Sequence, residues 1–316
     1  MISFFLDIMI GSSRLTLSQI LQTIFCPSEM DKTSRVIVWQ MRLPVAIMGI
    51  IVGGALGLAG ATMQTILNNP LASPYTLGLS AGAGFGASVA LVLGFGSMSI
   101  LSNVMVPLFA FVFSLAACFG IYFISKVKRF TSGIMVLAGI GMVFFFQAGQ
   151  SFLQYIATPE ELTSLVFWTF GSLTKANWTN VTVVAVVFAA IFLFVFSKSW
   201  KLTAMSMGDD RAKSMGVDVE RLRMQMFIGL SLLTATAVAF VGSIGFVGIV
   251  GPHIARILLG EDQRYFLPMS TICGAAILSI ASVASKIVVP GAIFPIGILT
   301  SLIGVPVFFA LIVKKR

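Results

Sequence analysis

Few residues in this 316-residue chain could do chemistry, and their types narrow what that chemistry is. The three cysteines, Cys26, Cys118 and Cys273, lie far apart with no CxxC pair, which argues against a zinc site or a redox motif. The single histidine, His253, has two readings, a proton relay or ligand and a hydrogen-bonded structural residue. The second is favoured, since no carboxylate neighbours it within the apolar segment. Asp7 and Lys286 are the other ionisable residues within or beside apolar runs, and Lys286 sits where a lysine ordinarily snorkels outward. There is no P-loop or HExxH pattern, and no pair of Asp-rich clusters of the kind a membrane prenyltransferase needs. Ion-coupled carriers keep buried carboxylates as coupling sites. Here every acid except Asp7 falls in a loop or at a helix end. The residues describe a chain that moves a solute with no energy chemistry of its own and no catalytic, metal or cofactor site.

The dense polar stretch is 198–224, which carries 10 of the 31 charged side chains. Asp209 can cap a short helix that Gly216 ends, and Asp218 can cap a second through Arg223. Two short capped helices in the largest internal loop would present a surface to something soluble.

What must position these residues is a set of membrane spans. The composition is 58% hydrophobic and 10% charged, against about 25% charged for a soluble domain. This predicts an all-α, polytopic membrane protein, and residues 1–316 read as a single transmembrane domain. The net charge of +9 collects at the ends of apolar runs, which fits orientation by positive charge and disfavours nucleic acid as a partner. A span needs about 20 apolar residues. Eight runs qualify: 44–66, 76–96, 104–125, 133–157, 180–197, 225–247, 268–289 and 294–313. Residues 248–259 and 1–11 are shorter and raise the expected total to about ten, with the first span only about half the usual length. Lys126, Lys128, Arg129, the 198–224 stretch, Arg256, Arg264 and the last three residues hold 14 of the 20 basic side chains. With ten spans all of these share one side, the cytoplasm, as do both termini. The other side receives short loops near 95–100, 158–163 and 291–292, and the segment 12–40. That segment is unexpectedly basic, with Arg14, Lys32, Arg35 and the adjoining Arg42.

Two further patterns admit a packing reading and a pathway reading. Gly78, Gly82 and Gly86 recur every four residues, which allows close helix approach or a smooth wall for a bulky solute. Gln147, Gln150, Ser151 and Gln154 share one helical face, either a polar interhelical seam or a pathway lining. The Asn68–Pro74 segment, with two prolines, reads as a tight loop, and 242–264 as a broken, closely packed helix in which Arg256 snorkels.

Taken in order, Arg42-Leu43-Pro44, GGALGLAGATMQ (53–64), NNPLASPYTLGLSAGAG (68–84), FWTFGSL (167–173), MGDDRAKSMGV (207–217), GFVGIVGPHIAR (245–256) and FPIGILTSLIGVPVF (294–308) resemble the permease subunits of bacterial ABC importers for iron–siderophore and cobalamin uptake. The resemblance covers nearly the whole chain from Arg42. It implies a multi-pass inner (plasma) membrane permease with ten helices and cytoplasmic coupling helices, paired with a second copy or a homologous permease. Two ATPase subunits and a periplasmic or lipoprotein substrate-binding protein would complete the assembly. It implies ATPase contacts at Gly208, Asp209, Asp210, Ala212, Met215 and Gly216, and binding-protein docking at Arg42 and Lys286. The chain departs from the pattern at Val45, at Ser282 where many relatives have Asp, and in PGAIFPIG (290–297). The expected cargo is a ferric siderophore, nearest a catecholate branch, with cobalamin or haem as the alternatives and an ion-coupled carrier further off.

Overall fold

A computed structural model describes residues 2–11, 16–25, 31–95, 99–127, 130–289 and 292–314, and among them all regular structure is helical. Arg14, Cys26, Lys128, Arg129, Gly291, Lys315 and Arg316, and part of the turn near 95–100, lie outside the described residues. The chain begins with α1 (Ile2–Met9), α2 (Leu17–Phe25) and α3 (Lys32–Val36). A π-helical stretch, Ile37–Arg42, then leads into α4 (Leu43–Ile66). There follow α5 (Leu79–Ala90), α6 (Ser99–Val127), α7 (Ser132–Ile156), α8 (Pro159–Thr169), α9 (Trp178–Phe196), α10 (Ser199–Ser206) and α11 (Asp209–Ser214). The last four are α12 (Val219–Val241), α13 (Val247–Leu259), α14 (Gln263–Ile287) and α15 (Ile296–Lys314).

Among the described residues six helices are long and apolar enough to cross a membrane, and three shorter apolar ones accompany them, which is close to the expected count. Two expectations are corrected. The stretch near 158–163 is no simple loop: Thr158 and Glu161 form a capping box, and Pro159 begins α8. The run expected at 225–247 starts earlier, because Asp218 caps a helix that continues without interruption through Val241. It ends at Gly242, before an irregular turn to Phe246.

The fold is arranged around α4, in which every residue from Val52 to Ile66 is buried. Its glycines allow backbone-to-backbone contact. A methyl group at Gly57 would overlap the Ser270 carbonyl oxygen of α14, one at Gly60 the Gly248 carbonyl oxygen of α13, and one at Gly274 the Gly53 carbonyl oxygen. In lipid, such close approach supplies the dispersion contacts that hold helices together, since apolar burial alone gives no preference for helix over acyl chain. The same logic settles the glycines of α5. Side chains at Gly82 and Gly86 would run into the carbonyl oxygens of Phe113 and Phe109 on α6, while Gly78 (φ +81°) packs against α7. All three are buried. These contacts give the face a packing role within the chain, the first of its two readings.

The bundle has two distinct polar ends. One gathers the C-terminus of α4, the turn before α7, the 198–224 stretch and the start of α14, linked by bonds from Arg223 to Ile66 and Phe130 and from Gln263 to Thr203. The other gathers the starts of α4 and α9 and the ends of α12 and α14. There the indole of Trp178 donates to the Trp39 carbonyl (2.8 Å), and Ser172 N donates to Val241 O (2.7 Å).

Replacing Gly60 by alanine is expected to lower stability by about 1–3 kcal/mol or more through overpacking. Gly133→Ala, with nothing within 4 Å of the added methyl, is expected to leave it unchanged. Thermal unfolding of the purified variants in detergent checks the contrast.

Candidate functional site: a stapled polar loop and a paired outer cluster

The polar stretch is built from two short helices and the first turns of α12 on a buried anchor. After α9, α10 buries Leu202, Ala204 and Met205 against the bundle. Gly208 (φ +102°) then reverses the chain into α11, and Gly216 (φ +79°) supplies the left-handed turn that ends it. Asp218 caps the next helix by accepting from Arg221 N at 3.1 Å, as its position in the sequence predicted. Asp209 does not behave as predicted. It is the first residue of α11 and makes no capping bond; its carboxylate instead accepts a 2.6 Å bond from Arg223.

Arg223 is the structural centre of this end. It is 1% exposed, yet each of its three guanidinium nitrogens donates a hydrogen bond. Nε donates to Ile66 O (2.6 Å), Nη1 to Phe130 O (2.8 Å) and Nη2 to Asp209 Oδ1 (2.6 Å). Ile66 is the last residue of α4, so Arg223 caps one of that helix's unpaired carbonyls at its negative end. Phe130 holds a left-handed conformation (φ +48°) that a bulky side chain rarely adopts without support. Nearby, Arg256 does not snorkel. It lies 3.0 Å from Glu261, donates to Gln64 Oε1 (3.2 Å) and stacks over Phe266. Asp262 caps α14, and the hydrogen bond from Arg264 holds its carboxyl below the usual carboxylate range.

Among the six residues expected to face an ATPase, the structure separates two. Ala212 is fully buried and seats α11 on the core, and Asp209 points to Arg223. Asp210, Met215 and Gly216 are exposed and Gly208 is half-exposed, alongside Met207, Arg211 and Lys213, which the motif alone did not single out.

At the opposite end, Arg42 and Lys286 are corrected from outward-reaching cations to internally paired ones. Arg42 is 7% exposed, and its Nη1 donates to the carbonyls of Ile8 (2.7 Å) and Met9 (3.0 Å), the C-terminal turn of α1. Lys286 Nζ lies 2.8 Å from Asp7 Oδ1 and donates to the Asp7 carbonyl at 2.6 Å. Asp7 itself is 1% exposed and also accepts from Ser282 Oγ at 2.8 Å. Thus Ser282, standing where the resemblance expects an aspartate, receives its carboxylate from α1 instead. A cavity of about 370 Å³ opens beside this cluster, lined by Gln40, Arg42, Ser172, Ser282, Ser285 and Lys286 among others.

The amide face of α7 also divides. Gln150 donates to Thr169 Oγ1 of α8 (3.4 Å) and Gln154 is half-buried, while Gln147 and Ser151 are exposed. His253 is half-buried on α13. Among the described residues no three His, Cys, Asp or Glu side chains gather as a metal site.

A bundle of apolar helices with an uncharged α7 face and a stapled polar platform at one end is the architecture of a membrane permease. The chain belongs to the FecCD transport family, whose model matches residues 1–314. It is 33% identical over 314 residues to the molybdate import system permease protein MolB of Haemophilus influenzae, covering 97% of this chain and 90% of that one. It is 35% identical over 283 residues to the Fe(3+)-citrate import system permease protein YfmE of Bacillus subtilis, covering 90% and 84% respectively. A solved structure of an inward-facing, metal-chelate type ABC transporter superposes with a TM-score of 0.87 at 30% identity, covering 99% of this chain and 96% of that one.

The outer cluster makes a prediction about pairing. Asp7→Ala leaves the Lys286 ammonium nearly buried beside a lost carboxylate, at an expected cost of about 3–5 kcal/mol. Asp7→Ala combined with Lys286→Met is expected to recover most of that loss. Thermal unfolding of both variants tests it, and a double variant as unstable as the single one would count against the pair.

Proposed function

We propose that this chain is the permease subunit of an ATP-driven type II importer that carries a ferric siderophore across the cytoplasmic membrane. The observation that carries the reading is the platform at 198–224. A short helix held to the core by Ala212 and Arg223 turns a mixed-charge, Met-flanked face outward, at the end where basic residues concentrate. Charge bias supports reading that end as the cytoplasmic one. One ATPase subunit seats on α10–α11 of each permease, the partner permease being a second copy or a homologous chain. A substrate-binding protein docks at the opposite end. Arg42 and Lys286 meet it there already engaged by α1, so an incoming carboxylate shares Lys286 with Asp7 or displaces it.

The pathway follows the α7 face bearing Gln147 and Ser151. Neutral amide and hydroxyl groups hold a solute weakly, as a transporter that must release its cargo requires. No residue of α7 is charged, which suits a bulky chelate recognised mainly by its binding protein. The YfmE match supports an iron chelate. The MolB match supports a second reading, a small metal oxyanion, and cobalamin or haem remain alternatives within the same class.

The test is assembly. Asp210→Lys with Lys213→Glu reverses two exposed charges on α11 and is expected to weaken ATPase co-purification by about tenfold or more while binding-protein docking persists. Wild-type ATPase retention in that variant would contradict the assignment of the platform.

A further inference from the structure

We propose that Arg223 is a positioning residue that transmits movement of α11 to the turn preceding α7, and through it to the solute-facing helix. The inference rests on the importer reading and deepens it by naming the link between the ATPase seat and the pathway. Its basis is the three-way bond already described. One guanidinium, buried to 1% exposure, joins a side chain of α11, the last carbonyl of α4 and the carbonyl of Phe130. The three partners differ in how firmly they are held. Ile66 ends the glycine-locked central helix and is fixed. Asp209 sits on a six-residue helix set between two positive-φ glycines, whose one buried residue is Ala212. Phe130 is held at φ +48°, a conformation that persists only while its surroundings enforce it.

Displacing α11 gives Arg223 two outcomes. The guanidinium follows Asp209 and slackens its bond to Phe130, or it loses Asp209 and retains an unneutralised charge in a buried site. The second is the costlier, so the first is the path of movement. Freed from Arg223, Phe130 relaxes towards ordinary backbone geometry, and the turn that enters α7 at Ser132 moves with it. Lysine cannot replace this function, because its ammonium lacks the rigid fork that reaches three separated acceptors.

The experiment is hydrogen exchange of the permease–ATPase complex with and without ATP plus vanadate, read on peptides covering 130–136 and 209–216. Wild type should respond in both segments. Asp209→Asn should keep the response at 209–216 but lose it at 130–136 by about fivefold or more, with Asp209→Glu restoring it in part. Arg223→Lys should show the same separation. A purely structural staple would lower stability and both responses together, which would overturn the proposal. So would a wild-type response at 130–136 in Asp209→Asn. An unresponsive 209–216 segment in the wild-type complex would overturn the importer reading and this inference together.

Discussion

Lipid and a packed interior offer no partner for a charge, so a cation buried within this bundle has to be neutralised or hydrogen-bonded within the protein. That constraint organises both ends of the molecule. Arg223 draws together α4, α11 and the turn before α7. Arg256 binds the end of α13 to Gln64 of α4 and to Glu261. On the far side Lys286 and Arg42 hold α1 by its carboxylate and by its terminal carbonyls. Arginine predominates because its planar fork satisfies several acceptors from one buried position.

Between the two ends runs α4, whose glycines bring its backbone against α13 and α14. A rod packed at backbone distance has little freedom to bend or slide, since each overlap would be with a carbonyl oxygen and not with a movable side-chain tip. The other elements are more peripheral: α11 lies between two positive-φ glycines with Ala212 seated on the core, and α7 exposes most of its surface. The buried Asp7–Lys286 pair ties α1 to α14 at the end opposite the 198–224 platform.

The spans were legible because an apolar run long enough to cross a bilayer has few other uses, and the Asp218 cap and the Gly216 turn were legible because each depends only on its immediate neighbours. The failures share a cause. Asp209 was read as a cap because its partner Arg223 lies 14 residues away, beyond any local rule. Lys286 was read as outward-facing because its partner is 279 residues distant. Ala212 belongs to the recognisable motif, but a motif does not tell which of its members faces the core. The glycines of α5 carried the right spacing for packing without saying which helix they meet. The α8 capping box is present in the sequence as Thr158-Pro159-Glu160-Glu161, but the helix it starts is too short to stand out as a span.

The central claim is that energy reaches this permease from outside the chain, through the platform at 198–224. Its most direct test is uptake into proteoliposomes containing the permease, its ATPase and its binding protein, loaded with a ferric siderophore or with molybdate. The account predicts accumulation of the ferric chelate that requires ATP on the platform side and ceases when the ATPase is omitted. Accumulation driven by an ion gradient with no ATPase present would contradict it.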